Sequence, residues 1–106
     1  MKIAIDSRSA TLHAGSGIGT YTKNLVLNLL NINLSNRLNI IWTGNLPKNI
    51  DKTKADIFFT SGRHGEFYER FYVPKLLEKN DIDLYHIPQN GIGFPFDSSI
   101  NTIVTI

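Results

Sequence analysis

Apolar residues along this chain fall into two patterns. Short unbroken runs are bounded by polar clusters, and longer stretches repeat apolar residues every three or four positions. Lys2-Ile-Ala-Ile-Asp6 is a run of the first kind, apolar on both faces and ending in a carboxylate, as a buried strand does. Ile18, Tyr21, Leu25, Leu29 and Ile32 form the second kind, widened by Val26 and Leu30, and predict an amphipathic helix of about three to four turns. Asn31 to Arg37, rich in Asn and Ser, reads as a turn. Leu38-Asn-Ile-Ile-Trp-Thr43 and Asp56-Ile-Phe-Phe-Thr60 are β-branched and aromatic, hence strands, with a Pro47-containing loop over Gly44–Ala55 between them.

The second half repeats this alternation. Ser61-Gly-Arg-His-Gly65 is a polar turn leading into a helical stretch from about Glu66. Phe67, Phe71, Leu76 and Leu77 form its apolar side; Glu69, Arg70, Lys75, Glu78 and Lys79 face water. Pro74 lies inside it and predicts a kink or a new helix start. Asn80-Asp81 ends the helix, Asp81–Ile87 is a fourth strand, Pro88–Ser99 a long loop and Asn101–Ile106 a fifth strand. The order β-α-β-β-α-β-β predicts an α/β fold, Rossmann-like, with a largely parallel sheet between helical layers. Ligands of such sheets sit at the carboxyl ends of the strands, near the switch point. The loops after Asp6, after His86 and beyond Ile106 are expected to open there.

Between the first strand and its helix lies Ala14-Gly-Ser-Gly-Ile-Gly-Thr20, with Gly15, Gly17 and Gly19 on alternate positions. Strand, glycine loop and helix are expected to follow without a gap. Unpaired amides at a helix start favour an anion, through their hydrogen bonds and the helix dipole. The other reading is a tight structural connection with no ligand. The spacing fails the dinucleotide fingerprint, whose third glycine would fall on Thr20 or Thr22, and no Lys-Ser/Thr pair makes a P-loop.

Composition narrows the classes. At 106 residues the chain is one domain or part of one, and its 42% apolar share suffices for a core. A net charge of +2, carried by scattered Lys and Arg, argues against nucleic acid. The absence of cysteine fits a cytoplasmic protein. No targeting sequence or membrane-spanning run is present, and a peripheral position at the inner face of a membrane stays compatible with the composition without being supported by it. His13, His64 and His86 are far apart and no metal-ligand spacing occurs; Asp81-x-Asp83 is better read as a cap. No metal or cofactor is expected.

Three segments together resemble a known family. Met1-Lys-Ile-Ala-Ile-Asp-Ser-Arg8 followed by Gly15-Ser-Gly-Ile-Gly-Thr-Tyr21, then Asp81-Ile-Asp-Leu-Tyr-His-Ile-Pro-Gln-Asn90, then Thr102-Ile-Val-Thr-Ile106 resemble, in order and spacing, the N-terminal domain of retaining GT-B glycosyltransferases of family 4. The resemblance implies an incomplete acceptor-side domain over 1–106, with the rest of that domain and a donor-binding domain outside it. It implies metal-independent sugar transfer from a nucleotide-sugar donor to a carbohydrate or lipid-linked acceptor. Gly17, with Ile18 and Gly19, would approach the donor diphosphate. The family's central histidine would fall just after Ile106, so the stretch alone is expected to be inactive.

Other residues carry two readings each. Asp6 and Arg8 either contact a sugar hydroxyl or pair with one another. His86, Gln89 and Asn90 are acceptor-side or cleft candidates, against a satisfied rim histidine and solvated amides. Arg63 and His64 read as solvated loop. Two alternatives to the enzyme stand: a small Rossmann-like binding module for a phosphate-bearing ligand or a partner protein, or a purely structural loop in an inactive fragment. Asn101–Ile106 is expected beside the strand ending at His86, with an open outer edge that invites self-association.

Overall fold

A computed structural model describes residues 1–32, 37–61, 71–88 and 100–105. Its elements are β1 (Ile3–Asp6), α1 (Ser9–Leu12), α2 (Gly17–Asn31), β2 (Leu38–Thr43), β3 (Ala55–Thr60), α3 (Val73–Lys79), β4 (Leu84–Ile87) and β5 (Asn101–Val104). The five strands form one sheet in the order β3-β2-β1-β4-β5, and every pairing is parallel. The α/β, Rossmann-like architecture is as the patterning predicts.

Alternation along the strands builds a core on each face of the sheet. Ile5, Leu38, Ile40 and Trp42 point to one side, where Val26 and Leu30 of α2 cover them. Their neighbours Ala4 and Ile41 point to the other side, with Tyr85 and Ile87, beneath Val73 and Leu77 of α3. Each fully buried aliphatic side chain here contributes about 1.5–3 kcal/mol. β2 is buried at every position, whereas the edge strand β3 is only partly so. Both faces need cover because a parallel sheet presents apolar residues on each.

Several features differ from expectation, among them the fourth strand, which begins at Leu84 rather than Asp81 because residues 81–83 close α3 and hold the N-terminal Lys2. The chain does not pass directly from β1 into the glycine run, because residues 9–12 coil into α1 first. The Arg8 carbonyl accepts from Thr11 and Leu12, and the Ser9 carbonyl accepts from His13. Ser9 is buried, and its Oγ donates to Thr22 Oγ1 at 2.8 Å, fastening α1 to α2. The core-facing line of α2 is also shifted. Gly19, Thr22, Val26 and Leu30 are its buried residues, while Ile18 and Tyr21 remain 44% and 43% exposed and Leu25 and Leu29 are half-buried. Small residues let α2 lie close to α1, and that rotates the apparent apolar stripe to a flank. Finally, β5 ends at Val104, and Ile106 lies outside the described residues.

The last described helix follows the proline rule. α3 starts at Val73 with Pro74 in its first turn, where the missing N–H is no loss. It ends with Asp81 at φ 56°. Ile82 N–H reaches back to Leu77 O and Asp81 N–H to Glu78 O, a closing pattern that needs a left-handed residue. The N-terminus is strapped onto this turn: Lys2 N–H donates to Asp83 Oδ2 and Lys2 Nζ to Asn80 O, both at 2.7 Å. Asp81 and Asp83 therefore act in chain turning. Residues 62–70, including Arg63 and His64, lie outside the described residues.

Candidate functional site

The strand order reverses direction at β1. The chain leaves β1 through α1 and α2 to pair β2 on one side, while β4 takes the other side. That divergence is the switch point where the loops after neighbouring strands part. Around it lie the carboxyl ends of β1 at Asp6 and β4 at Ile87, and the residues connecting β1 to α2.

Asp6 and Arg8 meet at this rim. Arg8 Nε donates to Asp6 Oδ1 at 2.8 Å and Nη2 to Oδ2 at 2.7 Å, a two-pronged ion pair. The Arg8 backbone N–H also donates to Oδ1, at 3.1 Å. Asp6 is 1% exposed and Arg8 2%. Burial on this scale is tolerated because the planar guanidinium matches both carboxylate oxygens. Ser7, between them, donates its N–H to Ile41 O and is itself fully buried, with an Oγ that meets no hydrogen-bond partner among the described residues. No sequence motif singles out Ser7 by itself.

The glycine run is not one device but three. Gly15 has φ +84°, a left-handed turn that only glycine adopts without penalty. Gly19 packs against α1: a Cβ there would lie 2.1 Å from His13 O and 3.0 Å from Ser9 O. Gly17 faces open space, with nothing within 4 Å of a Cβ placed on it. The fold therefore explains two of the three, and leaves the backbone of the third approachable.

Amide bookkeeping singles out the same position. Ser16 is the N-cap, its Oγ accepting from Gly19 N–H at 3.1 Å while donating to His13 O. Thr20 N–H is satisfied by Ser16 O. Among the described residues no hydrogen-bond partner meets the Gly17 and Ile18 N–H groups, at the start of a 15-residue helix with no acidic residue in its first turn. This end of the helix carries the positive pole of the dipole. Gly19, by contrast, has its amide capped and its Cα wedged, so its part is to seat α2.

His86 does not join the Asp6–Arg8 pair. It stands in register with Ile5 and Ile103 and so shares the α2 face of the sheet, while Asp6, one residue beyond Ile5, points to the other. Its Nε2 lies 2.9 Å from Thr105 Oγ1. Partial burial holds its pKa below the ordinary 6.5. Gln89 and Asn90 lie outside the described residues. Among the described residues no three His, Cys, Asp or Glu side chains gather as a metal site, and no helix is long and apolar enough to cross a membrane.

Comparison with protein-family models, curated proteins and solved structures finds no match to this chain.

Proposed function

We propose that the chain is the acceptor-side part of a retaining, nucleotide-sugar-dependent glycosyltransferase of the GT-B type, in which the Gly17 and Ile18 amides face the donor diphosphate. The observation that carries this reading is the pair of amides, unpartnered among the described residues, at an open glycine on the carboxyl rim. In such a transfer the bond from the anomeric carbon to the diphosphate oxygen breaks, and its electron pair stays on the diphosphate. The acceptor hydroxyl oxygen bonds the same face of that carbon, and its proton passes to a departing phosphate oxygen. Fixed N–H donors stabilise the charge that develops on the leaving group. The nucleotide and the remaining catalytic groups would come from a donor domain outside this stretch, with the enzyme acting in the cytoplasm or at the inner face of a membrane.

A second reading keeps the anion and drops the chemistry: a binding module for a phosphate-bearing ligand. The locked Asp6–Arg8 pair favours it, because neither group is left to handle a proton. One titration tests the shared element. Adding inorganic pyrophosphate or a uridine diphosphate to the isotope-labelled protein should shift the Gly17 and Ile18 amide resonances, and Gly17→Asp should abolish the shift. Unmoved resonances at both positions would end both readings. Sugar transfer by the enzyme that contains this chain, lost in Gly17→Val while the fold is retained, separates the first reading from the second.

A further inference from the structure

We draw no further inference here: the strongest candidate, the exposed apolar flank of α2 formed by Ile18, Tyr21 and Ile32, carries none because nothing in the structure shows what covers it.

Discussion

Two pieces of polar structure share the carboxyl rim, and they are opposites. At the end of β1 the Asp6–Arg8 pair is sealed from water, and the guanidinium consumes both carboxylate oxygens. At the start of α2, one short helix later in the chain, the Gly17 and Ile18 amides find no partner among the described residues and lie beside open space. The sealed pair has charge and no access; the amides have access and no formal charge. The proposed function draws on the second. Residue type alone would rank them the other way, since an aspartate and an arginine at a strand end look more chemical than a glycine.

Breaking the sealed side should cost the most. Arg8→Met leaves the buried Asp6 carboxylate without its guanidinium and should lose roughly 3–5 kcal/mol of unfolding free energy in urea titrations. A loss below about 1 kcal/mol would mean the pair is wet in solution. Gly19→Ala comes next, at about 1–3 kcal/mol, because the new methyl must push His13 O away from α2. Ser16→Ala removes the cap from Gly19 N–H and should cost about 1 kcal/mol.

The open side should respond with the opposite sign. Gly17→Ala meets no atom and adds helix propensity, so stability should stay level or rise by up to about 1 kcal/mol in the same titration. If Gly17→Ala destabilised the fold as much as Gly19→Ala, the contrast between the two glycines would collapse.

The smallest effect concerns His86. Its native pKa lies below 6.5, for reasons of burial, so between the two values the unfolded chain holds more protons than the folded one. Stability should be level above about pH 6.5 and decline as pH falls from there through the native pKa. Melting temperatures of the protein and of His86→Gln, followed over that interval, should diverge only on the acid side. Parallel curves would mean that the ring is solvated.

Much of this was legible in the chain. Strand runs and helical periods are written in neighbouring residues, so five strands, the parallel sheet and a change of helix around Pro74 followed from local pattern. The place of β5 beside β4 followed from the same order of elements. The glycine run was conspicuous too, but its three members looked alike. Telling them apart needed the path of α1, which brings His13 O against Gly19 and leaves Gly17 clear. The same packing hid the true face of α2: Gly19 and Thr22 are small and do not read as apolar, yet they lie innermost.

What the sequence determined by itself was therefore the kind and order of the elements, because hydrophobic period and turn chemistry act over a few residues. Only the tertiary structure decided which polar groups are consumed and which are left over. The pairing of Asp6 with Arg8, the capping of Gly19 and the engagement of His86 with Thr105 are distances in space. Those distances are set by how a short helix and a parallel sheet bring separate parts of the chain together.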